Sequence, residues 1–314
     1  MKNKTVAILA AFAVAVATSA SASEGSKPCD RNCLKNLVDT YIDAMVAHDP
    51  GKAPLARNIT IVENIKRIRP GEGLWKTASA PPTTFRIYVP DPVAQQVGFI
   101  GVMQSEGKPI QIGLRLKVEN GLITEAEHVI VHNLRESSLK NLQTPRAAFS
   151  ATVPEPYRDS RGRLLKIAAD YYDALDENNG RLAPFADDCV RFENGMQTSR
   201  NPVPADAPFG ITGSLGCAAQ LDTGIFQYID RIDNRRVWIA DEETGLAFGL
   251  SHFRHSMEKK EFRVFGVPGQ EVRKMDFAPF DLPAVHVFKI WGGQIHEIEA
   301  LGFTTSYNSP TGWE

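Results

Sequence analysis

The sequence predicts an α+β protein in which one fold is used twice. Two observations carry this. A segment near the N-terminus returns without a gap in the second half, Leu34 to Asn64 aligning on Leu164 to Asn194 at an offset of 130. Within each copy an amphipathic helix comes first and alternating strands follow. The identities are Leu34/Leu164, Tyr41/Tyr171, Asp43/Asp173, Ala44/Ala174, Ala53/Ala183, Pro54/Pro184, Ala56/Ala186, Glu63/Glu193 and Asn64/Asn194. Farther on, Lys117, Gly121, Ile123, Glu125 and Glu127 match Lys289, Gly293, Ile295, Glu297 and Glu299 at an offset of 172, so the second copy carries 42 extra residues. Repeats this long indicate paired domains and not a solenoid, whose period is roughly 20–50 residues.

The elements follow in order. Met1 to Lys4 is basic, Val6 to Ala17 is apolar, and Ala20-Ser21-Ala22 has small residues where a signal peptidase cuts. Residues 1–22 therefore read as a secretory leader, whose apolar run of about 12 residues is shorter than the roughly 20 needed to span a bilayer. The first domain is expected over 29–140. Its helix has Leu34, Leu37, Val38, Tyr41, Ile42 and Met45 on one face and stops at Asp49-Pro50-Gly51. A short strand (59–63) and strands over 97–104, 110–118 and 123–131 complete it. A linker rich in Pro, Ser and Thr spans 141–160. The second domain, 161–314, repeats the plan with Leu164, Ile167, Ala168, Tyr171, Tyr172 and Leu175 on its first helix. It then adds a helix over about 215–231 and strands over 236–240, 246–255, 285–291 and 295–303. Asn120-Gly121 and Gly292-Gly293 are tight-hairpin turns. Loop insertions are expected around 202–212 and 257–283. Helices before an antiparallel meander place the helices on one face of a curved sheet.

Of 314 residues, 43% are hydrophobic and 23% charged, which excludes collagen-like, coiled-coil and wholly disordered classes. Without the leader's Lys2 and Lys4 the balance is 33 basic to 37 acidic residues. There is no basic block, so nucleic acid is not an expected partner. Four cysteines allow three pairings. Proximity favours Cys29 with Cys33 and Cys189 with Cys217, in keeping with export. A zinc site is the rival reading, and neither a second C-x-x-C nor a nearby His-x-x-x-His supports it. Asn58-Ile59-Thr60 is a glycosylation sequon wherever the host modifies exported proteins.

The element order, with the hairpin Gly292-Gly-Gln-Ile-His-Glu-Ile-Glu299, resembles the nuclear-transport-factor-two-like cone fold. The superfamily includes ketosteroid isomerase, scytalone dehydratase, limonene epoxide hydrolase and polyketide cyclases. The tandem arrangement resembles a SnoaL-like family of secreted bacterial and fungal proteins of largely unknown function. The residues that carry it are Cys29-x-x-x-Cys33, Ala47-His48-Asp49-Pro50, Gly73-Leu74-Trp75, Phe185-Ala-Asp-Asp-Cys189, Glu193-Asn194-Gly195, Leu215-Gly216-Cys217 with Gln220-Leu221-Asp222-Thr223-Gly224, and Gly312-Trp313. The resemblance implies two tandem cone-shaped α+β barrels, each a curved sheet wrapped on N-terminal helices, and leaves the reaction open.

Such a cone encloses an apolar pocket with a few polar groups. Strand alternation puts Ile295, Glu297, Glu299, Leu301 and Phe303 on one face. Burial and mutual repulsion would raise the pKa of at least one carboxylate, making Glu299 a candidate general acid or base. Glu125 and Glu127 recur in the first unit, which favours a structural role instead. His252, on a face with Phe248, Leu250 and Arg254, is the candidate partner. His255 should face the other way, His286 is a third pocket candidate, and His296 beside its turn is expected exposed. Arg191 and Glu193 share a strand face, as an ion pair or as recognition of a carboxylate or phenolate. Tyr172 and Tyr228 sit on apolar helix faces where a buried phenol needs a partner.

No P-loop, dinucleotide fingerprint, nucleophile elbow or H-E-x-x-H occurs. The expected protein is therefore an exported, cofactor-independent lyase, isomerase or hydratase acting on a small apolar, aromatic or polyketide-like molecule. Glu299 and His252 are its expected acid/base pair in the second cone. Arg191, Glu193, Tyr172, Tyr228, His286 and Glu297 are the expected substrate contacts. No metal and, once the leader is cut, no membrane association is expected, and a homodimer is compatible with the pattern. The alternative is a non-catalytic binding module whose cones pack as a pseudo-dimer.

Overall fold

The computed structural model describes residues 27–202 and 210–314. The leader and most of the expected insertion at 202–212 lie outside them. In the first half, helix α1 (Arg31–Val46) is capped by Asp30, whose carboxylate accepts from the Cys33 amide at 2.8 Å. It buries Leu34, Val38, Tyr41, Ile42 and Met45, and of the predicted stripe Leu37 alone is half-buried. Strands β1 (Leu55–Glu63), β2 (Lys66–Ile68), β3 (Ala78–Ala80), β4 (Arg86–Asp91), β5 (Gln96–Ser105), β6 (Lys108–Glu119) and β7 (Leu122–Val131) form one sheet, in which β2, β1, β7, β6 and β5 are successive neighbours. After α2 (Glu136–Asn141) the plan repeats: α3 (Arg161–Asp176), β8 (Phe185–Glu193), β9 (Met196–Gln197), α4 (Cys217–Asp222), β10 (Arg231–Asp241) and β11 (Leu246–His255). A ribbon of β12 (Glu261–Arg263) and β13 (Val272–Lys274) precedes β14 (Phe280–Trp291), β15 (Gln294–Gly302) and β16 (Thr305–Ser306). The second sheet runs β10-β11-β14-β15-β8-β9. The chain is thus two tandem cone-shaped α+β barrels, each with its helix against the concave face of its sheet.

Three expectations need correcting. The sheets are mixed: β1 pairs parallel with β7, and β8 with β15, because the strand after the helix joins the last strand of the meander. The helix expected over 215–231 ends at Asp222, where Gly224 adopts φ +71° and the chain turns. Its apolar stripe is buried nonetheless, with Leu221, Ile225 and Ile229 in the core of the second cone. His296 is buried, stacked on Trp291 at 3.8 Å and bound to Asp188 at 2.7 Å.

The repeated Glu-Asn pair has a local cause. Asn64 and Asn194 adopt left-handed backbone (φ 42° and 48°), which asparagine tolerates. Each side chain clamps the last strand of its cone. Asn64 exchanges two hydrogen bonds with Ile130, and Asn194 exchanges two with Gly302.

The convex faces pack on each other. Their shared core includes Ile87, Val89, Ile100, Val129, Phe248, Leu250, Val285 and Val287. Arg31, at the start of α1, binds Asp241 at 2.6 Å, and its counterpart Arg161 binds Asp91 at 2.8 Å. These reciprocal contacts are what a two-fold related pair would make. Equivalent positions meet across that pseudo-axis as small against large. A Cβ on Gly98 would overlap the ring of Phe248, and one on Gly113 would lie 2.8 Å from Val285. Residues 141–160 are no free tether, since Leu142, Phe149 and Val153 are buried. The C-terminus straps the cones together: Arg67 donates to the carbonyls of Gly312 and Trp313, and the Trp313 ring lies 5.1 Å from the Arg115 guanidinium.

Disulfides join Cys29 to Cys33 and Cys189 to Cys217. The second closes a 28-residue separation and pins α4 to β8. Its removal by the double alanine substitution is expected to cost about 3 kcal/mol, read as a lower urea midpoint. Two bridges suit an oxidising compartment. Among the described residues no helix is long and apolar enough to cross a membrane.

Candidate active site

The second cone encloses a cavity of about 110 Å³. Tyr171 and Leu175 of α3 form one wall, and Phe253, His255, Ala284 and His286 of the sheet face them. Glu193 and Asn194, and Phe226, Tyr228 and Ile229 from the turn after α4, are also part of the lining. The repeat explains why the space is there. At an offset of 172 the first cone carries Ile112, Leu114, His128 and Ile130, all buried, where the second carries Ala284, His286, Ala300 and Gly302. Three of these four positions are much smaller in the second cone.

The first cone instead fills its centre with a hydrogen-bonded chain. Tyr41 Oη lies 2.9 Å from His128 Nε2, and His128 Nδ1 lies 3.0 Å from Glu63. Trp75 packs edge-on against Tyr41 at 5.2 Å. Sequence reasoning passed over His128. The signal was its alignment with Ala300, a large-to-small change inside an otherwise matching frame.

The polar groups of the second cavity sit among aromatic rings. His286 Nδ1 is 3.2 Å from Tyr172 Oη, and its ring stacks on Phe288 at 5.8 Å. Burial, and then the charge of Arg191, push its pKa down to about 3, so it is a neutral imidazole at neutral pH. His255 is stacked between Phe280 and Tyr228, at 4.2 and 5.6 Å, and burial pushes it down to about 4. Burial, opposed by Arg191, holds the Tyr171 phenol up at about 12, keeping it protonated as a donor.

Arg191 stands behind this wall. It occupies the place of Ile61 in the first cone and is fully buried. Its Nε lies 2.8 Å from Glu193 and 3.0 Å from Thr198 Oγ1, and Nη2 donates to Gln220 at 2.6 Å. Its guanidinium lies 5.1 Å from the Phe226 ring. A buried arginine requires such a shell, and α4, held by the disulfide, supplies Gln220 to it.

Of the expected site residues, Glu193, Tyr228 and His286 line the cavity, while Arg191 and Tyr172 support it from behind. His255, placed opposite His252 by alternation, lines it too. The expected pair Glu299 and His252 is elsewhere, on the convex side. A bulge between Lys289 and Ile290 shifts the register, so Ile295 and then Ile298 and Ala300 point into the cone while Glu297 and Glu299 point out. There Arg146 of the linker reaches Glu297 at 2.7 Å and Glu299 at 3.4 Å. The matching Glu127 of the first cone receives Arg236 instead, through two bonds of 2.6 Å. His252 also faces the other cone, within 3.3 Å of Asn234 and Arg254. It lies on β11, which β14 separates from the β15 that carries Glu299. The two cannot act as a couple. Among the described residues no cluster of three His, Cys, Asp or Glu is arranged to hold a metal ion.

Residues 157–302 match a family described as a domain of unknown function (DUF8021). No curated protein matches the chain. Solved structures similar to it include a protein of unknown function with a cystatin-like fold from Methylobium petroleophilum, at 14% identity and TM-score 0.29, covering 35% of this chain and 83% of that one. A nuclear-transport-factor-two-like protein of unknown function from Cytophaga hutchinsonii is 18% identical with TM-score 0.26, over 31% and 89%. A provisionally assigned SnoaL-like polyketide cyclase from Shewanella denitrificans is 18% identical with TM-score 0.27, over 46% and 92%.

Proposed function

We propose that the second cone, within a domain over 161–314, is the active site of an exported, cofactor-independent enzyme that moves a proton on a small, mostly apolar molecule. The observation that supports this is the paired comparison of the cones. Both keep the glutamate at the end of the first strand (Glu63, Glu193); in the first cone it bonds to His128, and in the second it lines a cavity. At about 110 Å³ the space is close to the roughly 150 Å³ of an apolar cavity that accepts benzene. A single ring or a short alicyclic carbonyl compound is the matching class.

In this reading the Glu193 carboxylate takes a proton from the carbon next to a carbonyl. The neutral ring of His255 or His286, or the phenol of Tyr171 or Tyr228, donates to the oxygen where charge develops. A neutral imidazole in that role gives up no desolvation energy to a charge of its own. The first cone, its centre filled, is the structural copy. Export rests on the leader at 1–22 and suits the two disulfides.

The test is solvent-deuterium exchange at the α-carbon of small aryl ketones, followed by NMR. The wild-type protein is expected to accelerate exchange. Glu193→Gln should lower the rate at least about 100-fold, within the range for a positioned base, and Ala300→Leu should abolish it by filling the cavity. Equal rates for the wild type and Glu193→Gln would remove the proposed base.

One observation favours ligand binding without turnover: the Glu193 carboxylate is already engaged by Arg191 at 2.8 Å. Native mass spectrometry with metabolite extracts separates the two readings. Unchanged ligand bound one to one indicates sequestration, and product indicates catalysis.

A further inference from the structure

The cavity of the second cone is lined by a histidine that is buried and unsatisfied. His255 ends β11 and is 3% exposed. Its Nδ1 makes no hydrogen bond, and among the described side chains lining the cavity it is the one polar atom that is wholly buried and unpaired. The Phe280 main chain flanks the ring and opposes the fall of its pKa, yet leaves Nδ1 unsatisfied. Folded proteins keep few such groups, because a buried donor or acceptor without a partner has lost its water for nothing.

The imidazole cannot turn to find a partner. Phe262, Tyr228, His255 and Phe280 form a stack of four rings, with successive centroids 6.3, 5.6 and 4.2 Å apart and planes inclined by 27°, 20° and 14°. Rings on both faces fix the plane of His255, so its nitrogens can bond only at the edge. The first cone shows the contrast. Its strand β5 matches β11 at an offset of 150, which places Ser105 where the second cone has His255. Ser105 is satisfied, its Oγ lying 2.8 Å from Thr77 Oγ1. The second cone has therefore exchanged a satisfied hydroxyl for an unsatisfied imidazole, beside a cavity.

The surroundings select the charge of what could bond there. No lysine or arginine lines the cavity, and Glu193 contributes a carboxylate. Arg191, behind the wall, is engaged by Glu193, Thr198 and Gln220. An anionic head group would meet a like charge, whereas a neutral hydroxyl meets either tautomer of a neutral imidazole because it both donates and accepts. We propose that His255 is the specificity-determining residue of the cavity and that the ligand is a single ring bearing a neutral hydroxyl, bonded to the imidazole edge. This rests on the cavity reading above and deepens it: of the four groups able to bond the ligand's oxygen, His255 is the one that reads it.

Titration of the full folded chain with phenol, toluene and benzoate at neutral pH, followed by NMR, tests it. Phenol and toluene have nearly the same shape and differ in the hydroxyl. Phenol is expected to bind about tenfold or more tighter than toluene, and benzoate more weakly than either. His255→Phe, which keeps a ring in the stack, should bring phenol down to the affinity of toluene. In the isotope-labelled wild-type protein the His255 imidazole nitrogens should shift on adding phenol and hold their positions with toluene, a readout that does not depend on the variant. Equal affinity for phenol and toluene, a preference that survives His255→Phe, imidazole nitrogens that ignore phenol, or benzoate binding as tightly as phenol would overturn the role of His255 and leave the cavity reading standing. If no ring compound binds, the cavity reading falls and this one with it.

Discussion

Phenylalanine at Gly98 is expected to disrupt the packing of the two cones, and exchanging the pair should restore it. Gly98 and Phe248 are equivalent positions of the two sheets and face each other across the pseudo-axis. Gly98→Phe would drive one ring into another in a close-packed core, a cost of about 1–3 kcal/mol or more. Phe248→Gly would leave a void the size of a ring, a cost of about 3–5 kcal/mol on the scale of phenylalanine-to-alanine changes. In the double substitution the ring simply comes from the other cone. Gly98 has no left-handed φ, so its backbone accepts a side chain. Urea unfolding of the four proteins measures the coupling. The exchanged protein should recover most of the loss. A double variant as unstable as the sum of the singles would show that the two positions are not equivalent across the interface.

Glu299→Gln is expected to stabilise the protein at alkaline pH and leave the cavity's chemistry alone. Burial pushes the Glu299 carboxyl up to about 8, with Arg146 opposing and Glu297 adding to the rise. Between an unfolded value near 4.5 and that folded value, the native state holds the extra proton. Stability therefore falls as pH rises through this window. Each unit of displacement is worth about 1.4 kcal/mol, so the loss above pH 8 amounts to a few kcal/mol. Glutamine cannot ionise. The variant should match the wild type near pH 5 and exceed its melting temperature by several degrees near pH 9. The histidines act in the opposite sense. His252, His255 and His286 are all held well below 6.5 in the fold, so the unfolded chain takes up their protons first and stability falls as pH drops below about 6.5. Exchange of α-protons by Glu299→Gln should equal that of the wild type. A collapse of that rate would return Glu299 to the active site.

Much of the fold was legible in the sequence because it depends on local chemistry repeated twice. The helix stripes at Leu34–Met45 and Leu164–Leu175, the turns at Asn120-Gly121 and Gly292-Gly293 and the paired Glu-Asn each report a short-range requirement. The site was half legible. Glu193, Tyr228 and His286 could be found by asking which polar residues sit among apolar ones. Glu299 passed the same test and failed in space, because one bulge at Lys289–Ile290 reverses which side of β15 faces the cone. Periodicity counts residues and cannot see an irregular pairing with the neighbouring strand.

The sequence by itself pointed to two copies of one α+β unit and, by proximity alone, favoured one of the three cysteine pairings. Local propensity and internal comparison are enough for that. Only the tertiary structure decided where the second copy leaves a cavity and which carboxylates are interface struts. Those outcomes depend on volumes and faces brought together from strands more than a hundred residues apart. Ala300 in place of a histidine and Gly302 in place of an isoleucine are small residues anywhere in a sequence. They become a cavity only when the walls around them fail to close the space they leave.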